Sequence, residues 1–100
     1  MKRDEAIRRL SEHREELKRR GVERLYLFGS TARDEAGSGS DVDLIIRIDR
    51  ESRGKFGLFD LISVKHYLED TLDIKVDLTT EEGIKPQLKE RIMGERIPIA

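Results

Sequence analysis

Leu25-Tyr26-Leu27-Phe28-Gly29-Ser30, ten further residues, then Asp41-Val42-Asp43-Leu44: the reading of this stretch decides the fold. One apolar run stops at Gly-Ser, and two carboxylates open a second, Leu44-Ile45-Ile46. Both runs are short and rich in strand formers, which predicts strands over Val22 to Phe28 and Val42 to Ile48. If the two pair antiparallel, Gly29, Ser30, Asp41 and Asp43 share one edge of a sheet. Residues two apart on a strand point to the same face, so Asp41 and Asp43 stand side by side. Leu44, Ile46 and Ile48 alternate with Asp43, Ile45 and Arg47, which puts the carboxylates and a core face on opposite sides of one strand.

Two adjacent carboxylates repel unless a cation lies between them, and hard oxygen ligands suit Mg²⁺ or Mn²⁺. Gly29 has no Cβ, so a phosphate can approach its backbone closely. Ser30 is placed to cap a short helix through Thr31, Ala32 and Arg33. The first N–H groups of such a helix have no internal partner and attract anions. A carboxylate pair facing an anion-binding turn suits a metal-chelated polyphosphate. A solvated acidic cap on a strand-turn-strand is the plainer alternative.

The spacing, Gly-Ser followed ten residues later by Asp-x-Asp, resembles the signature of the polymerase-beta-type nucleotidyltransferases. Phe28-Gly29-Ser30-Thr31-Ala32-Arg33 with Ser40-Asp41-Val42-Asp43-Leu44 is similar, more narrowly, to the minimal nucleotidyltransferases, the MntA-like antitoxins. Members often carry Gly after the Ala-Arg, where this chain has Asp34, a negative charge near the phosphate turn. The resemblance covers nearly the whole chain. It implies a polymerase-beta-like α/β fold, with a small mixed or antiparallel sheet of three to four strands packed with helices.

Composition bounds the rest. One hundred residues predict a single domain with room for one core. The formal net charge of -1 argues against nucleic acid held by a global positive field, though a local basic strip stays open. There are no cysteines, so neither a disulfide framework nor thiolate chemistry is available. No apolar run reaches membrane-spanning length and the first residues lead into no signal-peptide core, so a cytoplasmic location is expected.

Outside the central stretch, residues 3 to 20 read as one helix with Ala6, Ile7, Leu10 and Leu17 near one face and Gly21 as its stop. His13 reads as a surface or boundary residue. Residues 34 to 40 read as a loop that either moves over a bound nucleotide or merely connects. Residues 49 to 57 read as a basic loop around Arg50 and Arg53, and Leu58 to Leu72 as a helix with Leu61, Ile62, Leu68 and Leu72 inward and His66 exposed. Asp73 to Thr79 reads as a third strand. Ile84 to Met93 reads as a last helix with Ile84, Leu88 and Ile92 in line and Pro86 in its first turn. Ile97-Pro98-Ile99 is apolar enough to pack on the core or on a partner.

The third strand puts Asp73 and Asp77 on one face, roughly 13 Å apart, so both cannot serve one metal pair. If that strand runs antiparallel to the second, its late residue Asp77 lies beside Asp41 and Asp43. Val76-Asp77-Leu78 also resembles the strand that supplies the third carboxylate in the family. The resemblance implies Mg²⁺-dependent transfer of a nucleoside monophosphate, from ATP or another nucleoside triphosphate, to a hydroxyl. Asp41, Asp43 and Asp77 would hold two metal ions, Gly29 and Ser30 would cradle phosphates, and Asp77 would help deprotonate the acceptor. Arg33 either steadies the phosphates or pairs with a carboxylate. The implied role is an antitoxin that attaches AMP to a tyrosine of a HEPN-domain toxin. An RNA or small-molecule acceptor, and a non-catalytic module that masks its partner, are the alternatives.

Overall fold

The structure, a computed structural model, describes residues 1–34 and 41–99. Among these residues the order is α1 (Arg3–Ser11), α2 (Arg14–Arg19), β1 (Val22–Phe28), α3 (Gly29–Ala32), β2 (Val42–Ile48), α4 (Leu58–Leu72), β3 (Val76–Thr80), a 3-10 turn (Glu81–Gly83), α5 (Pro86–Glu95) and β4 (Ile97–Pro98). The four strands form one mixed sheet in the order β3-β2-β1-β4. The expected loop over 34–40 lies, Asp34 apart, outside the described residues.

β1 and β2 pair antiparallel, with Phe28 opposite Asp43 and Leu27 opposite Leu44, as the sequence predicts. β3 does not run antiparallel to β2 as expected. It is parallel, with Val42 opposite Val76 and Asp43 opposite Asp77. A parallel pair needs a long crossover, and the helix α4 supplies it. The strand also starts later than predicted. Asp73 caps α4 in the left-handed region (φ 55°) and lies outside the sheet. The Glu69 carboxylate then accepts the Val76 N–H at 3.0 Å, which marks the start of β3.

The helix expected over 3–20 is two helices. The Ser11 hydroxyl donates back to the Ile7 carbonyl at 2.6 Å, a bond that bends helices. His13, at the break, is hydrogen-bonded through Nδ1 to the Tyr67 hydroxyl. Leu10 and Leu17 are both buried across that break. Gly21, at φ +91°, ends the segment as predicted.

The periodicity of β1 and β2 builds the core. Leu25, Leu27, Val42, Leu44, Ile46 and Ile48 join Ala6, Leu10 and Leu17 from the N-terminal helices and Val64, Leu68 and Leu72 from α4 in one cluster. Burying such a side chain contributes about 1.5–3 kcal/mol. One expected inward residue falls elsewhere: Ile62 is 39% exposed. The stripe of α4 is set by Val64, Leu68 and Leu72, with Leu61 partly buried, and Ile62 lies off it.

The other sheet face carries Tyr26, Phe28, Asp43, Ile45, Arg47, Asp77 and Thr79, on β1, β2 and β3. At its far end Glu81 accepts from Arg47 Nε and from Arg96, each at 3.2 Å, while the Arg96 guanidinium stacks on the Tyr26 ring at 3.8 Å. Burial raises the Glu81 carboxyl, but its hydrogen bonds and the charges of the two guanidinium groups outweigh this and hold it below its ordinary value. The network ties the 3-10 turn and Arg96, the C-cap of α5, to the sheet. Among the described residues no helix is long and apolar enough to cross a membrane.

The Ile97-Pro98-Ile99 tail packs on its own chain. Ile97 and Pro98 pair antiparallel with Leu27 and Tyr26, the Ile99 N–H donates to the Leu25 carbonyl at 2.8 Å, and Ile99 is buried. Replacing Ile99 by Ala is expected to lower stability by about 2–5 kcal/mol. Urea melts should show a lower midpoint with an unchanged slope, and a loss under about 0.5 kcal/mol would show that the tail does not contribute to the core.

Candidate active site

The site is the sheet edge where β1 ends and β2 and β3 begin. Antiparallel pairing brings the end of β1 to the start of β2, and parallel pairing brings the start of β3 to the start of β2. Three chain segments therefore meet there: Gly29-Ser30, Asp41 with Asp43, and Asp77. The expectation that Asp77 joins the pair holds, but for a different reason. It is an early residue of a parallel strand, not a late residue of an antiparallel one.

Gly29 and Asp43 are in close contact. Gly29 sits at φ +74°, a conformation glycine adopts freely. A Cβ there would overlap the Asp43 carboxylate, its Cγ being 3.0 Å away. The bare backbone is what lets the acidic strand lie against the turn.

α3 starts at Gly29, so its N-cap is Phe28, and Ser30 lies inside the helix. The expected Ser30 cap is thus corrected to Phe28, two residues earlier. The consequence for the turn is unchanged, because a helix leaves its first four N–H groups without internal partners, and these include Gly29 and Ser30. The buried Thr31 hydroxyl next to them has no hydrogen-bond partner among the described residues.

Asp43 is half-buried and its carboxyl is raised above its ordinary value. Burial is the largest cause, followed by the charge of Asp77, a hydrogen bond to Asp77, and the charge of Asp41; the Arg33 guanidinium acts in the opposite direction. Asp43 and Asp77 are thus hydrogen-bonded neighbours whose mutual repulsion a cation would relieve. Both Asp41 and Asp77 act on Asp43, and an all-oxygen donor set of this kind fits a hard divalent ion. Among the described residues no three such ligands already close on a single point. Asp73, the other candidate, is the exposed cap of α4 and belongs to a different part of the surface.

Arg33, besides acting on Asp43, lies 3.9 Å from the Glu95 carboxylate of α5. Asp34 turns out to be tied to α1. It takes a left-handed conformation (φ 59°), and its carboxylate accepts the Arg3 N–H at 3.1 Å, serving the start of that helix. Beside the carboxylates lies a cleft of about 90 Å³, lined by Phe28, Ile45, Thr79, Ile84 and Ile92 with Asp43 and Asp77. Sequence reading placed Thr79 on the face of Asp77 but assigned Ile84 and Ile92 only to a helix stripe. The signal for them was their four-residue spacing, which does not say which sheet face they meet.

With this geometry in view, the comparisons with known proteins are informative. Residues 10–99 match the nucleotidyltransferase domain family. The chain is 39% identical over 83 residues to a Methanocaldococcus jannaschii protein provisionally named a protein adenylyltransferase, a match covering 83% of this chain and 85% of that one. It is 32% identical to protein adenylyltransferase MntA of Thermococcus cleftensis, over 86% of this chain and 84% of the relative. A solved structure provisionally described as a minimal nucleotidyltransferase superposes with a TM-score of 0.82 at 33% identity, covering 98% and 96% of the two chains. A likeness of fold alone, TM-score 0.62 at 18% identity over 91% of this chain and 70% of the other, extends to a complex of a tri-AMPylated Shewanella oneidensis HEPN toxin with MNT antitoxin.

Two substitutions test the geometry. Gly29→Ala should lower stability by about 1–3 kcal/mol, since it meets both a left-handed backbone and the Asp43 carboxylate. Asp43→Asn, without added metal, should raise the melting temperature at pH 7. An acid whose folded value is raised contributes stability below its ordinary value of 3.8 and loses it as pH rises through the folded value. The advantage of the Asn variant should therefore shrink towards zero near pH 3. An advantage that grew on acidification would contradict the raised Asp43 carboxyl.

Proposed function

The chain belongs to the nucleotidyltransferase domain family, and from that premise we propose that it is a protein adenylyltransferase that moves AMP from ATP to a hydroxyl of a protein partner. Asp41, Asp43 and Asp77 would ligate magnesium. The observation that carries this is the alignment of Asp43 with Asp77 across the parallel pair, against the Gly29 turn. Magnesium, when bound, supplies charge neutralisation for the attacking and leaving oxygens.

Within that site the chain's own residues have distinct tasks. The N–H groups of the Gly29-Ser30 turn receive the terminal phosphates of ATP, and Arg33 is close enough to Asp43 to add positive charge there. Asp77 takes the proton of the acceptor hydroxyl. The oxygen forms a bond to the α-phosphorus, the bond to the bridging oxygen breaks, and pyrophosphate leaves. Asp43, holding its carboxylate against the glycine turn, keeps triphosphate and acceptor on one edge.

The cleft beside Asp77 favours an aromatic acceptor. Its lining combines Phe28, Ile45, Ile84 and Ile92 with Asp43 and Asp77, which suits a phenol ring with its hydroxyl towards Asp77. We therefore read the acceptor as a tyrosine, with a HEPN-type toxin as the partner and the chain as its antitoxin. The named relatives and the toxin–antitoxin likeness of fold agree with this reading.

Asp77→Asn should lower transfer by about 10²–10⁴-fold while triphosphate binding is largely retained. Asp73→Asn should change neither. Because orientation of an acceptor is worth roughly 7–11 kcal/mol, the isolated chain should be nearly inactive towards free hydroxyl compounds. The decisive experiment incubates the chain with Mg²⁺ and α-labelled ATP, alone and with the product of its neighbouring gene. Label on a partner tyrosine only in the mixture is the expected result. Label on RNA or small hydroxyl compounds, with none on the partner, would overturn the assignment.

A further inference from the structure

The proposed chemistry needs a partner hydroxyl at Asp77, and the strand that carries Asp77 is the outermost of the sheet on its side. β3 pairs with β2 through alternate residues. The Val42 N–H donates to the Lys75 carbonyl at 3.1 Å, so in the parallel register the main-chain groups of Asp77 and Thr79 turn towards β2. Those of Val76, Leu78 and Thr80 therefore turn away from the sheet. The Glu69 carboxylate agrees with this direction, because it takes the Val76 N–H at 3.0 Å from outside the ladder. Beyond that cap, the row from the Val76 carbonyl to the Thr80 N–H has no strand beside it among the described residues.

The opposite margin of the sheet is protected and this one is not. Edge strands are blunted by shortness, proline, charge or a bulge. β4 has two residues, one of them Pro98. The part of β1 that β4 leaves uncovered carries the exposed Glu23 and Arg24 and a shift of register between Val22 and Arg24. β3 has five residues in unbroken register with β2, no proline, and Asp77 as its one charged side chain. An edge of this kind pairs with an extended segment of another chain.

The place of Asp77 says which segment that is. An added strand lies about 4.8 Å from β3, and its residue beside Asp77 points to the same face. Asp77 and Thr79 are exposed, so that face has room for a side chain. The cleft next to them, about 90 Å³, has space for a ring and not for the main chain behind it. That main chain has to lie within a side chain's length of Asp77. α5, which borders the cleft through Ile92, pairs most of its main chain within itself, whereas the β3 edge offers N–H and carbonyl groups. We propose, building on the adenylyltransferase reading above, that the acceptor protein docks by adding an extended, hydroxyl-bearing segment to the outer edge of β3. It forms a fifth strand of the sheet and delivers its hydroxyl to Asp77.

Amide exchange tests the docking without any transfer. On adding the product of the neighbouring gene, exchange at the Leu78 N–H should slow about tenfold or more, while the Asp77 N–H, already within the ladder, should change far less. Leu78→Pro removes only an outward N–H, so the sheet keeps its ladder. That variant should bind Mg²⁺-ATP as the unaltered chain does and lose about tenfold or more of the partner labelling. The exchange measurement is made on the unaltered chain and stands even where the proline variant fails to fold. Label on the partner without slowed exchange at Leu78 would overturn the docking and leave the adenylyltransferase reading in place. Slowed exchange without label would overturn that reading and support the strand addition. A partner that is neither bound nor labelled, or a folded Leu78→Pro variant that labels as well as the unaltered chain, would overturn the proposal. So would a Leu78 amide slowed by raising the concentration of this chain alone, the sign of a second copy on the edge.

Discussion

The contact between Gly29 and the Asp43 carboxylate is the constraint on which the rest of the site depends. It requires that β1 end in a residue without a Cβ, at a positive φ, directly beside the acidic start of β2. The Phe28–Asp43 pairing satisfies this, and it sets the register of the antiparallel pair from Phe28 back to Arg24, beyond which the register shifts before Val22. A slip of one residue would turn Asp43 into the core and Leu44 out to the turn. The apolar alternation of β2 and the geometry of its acidic end therefore select the same register.

The third carboxylate adds a second requirement. A strand arriving beside β2 can present an early residue at the acidic edge only if it runs parallel, and a parallel strand needs a crossover. α4 provides it, packing Val64, Leu68 and Leu72 onto the face opposite the carboxylates. The helix thus belongs to the core, yet its length also sets where β3 begins. The Asp73 cap and the Glu69 bond to Val76 together place Asp77 level with Asp43. Burial, and after it the neighbouring charges of Asp77 and Asp41, raise the Asp43 carboxyl. A sheet edge tied down by a packed crossover can hold that repulsion until a cation relieves it.

Asp34 illustrates how a local departure is absorbed. A position that favours glycine for its left-handed backbone accepts aspartate, one of the residues most tolerant of that region. Its carboxylate then serves the first turn of α1 through Arg3. The charge that sequence reading set near the phosphate turn has a partner of its own. Arg33, one residue earlier, acts both towards Asp43 and towards Glu95 of α5, so the two roles considered for it are not exclusive.

What the sequence by itself determined are the features set by local chemistry. The period-2 alternation of Val42–Ile48, the Gly-Ser turn and the Asp-x-Asp spacing were enough for both central strands, their pairing and two of the carboxylates. The limits of α4 were legible from its periodicity as well. Tertiary structure alone decided the direction of β3, because a run such as Val76-Asp77-Leu78 alternates identically in a parallel or an antiparallel ladder. It likewise decided that Asp73 is a helix cap, that the chain bends at His13 to meet Tyr67, and that Ile99 is buried within its own chain. It also decided that Ile62 faces outward, since the apolar residues of α4 outnumber the places its core-facing stripe offers. Each of these depends on a partner far away in the sequence, and no local pattern encodes where that partner lies.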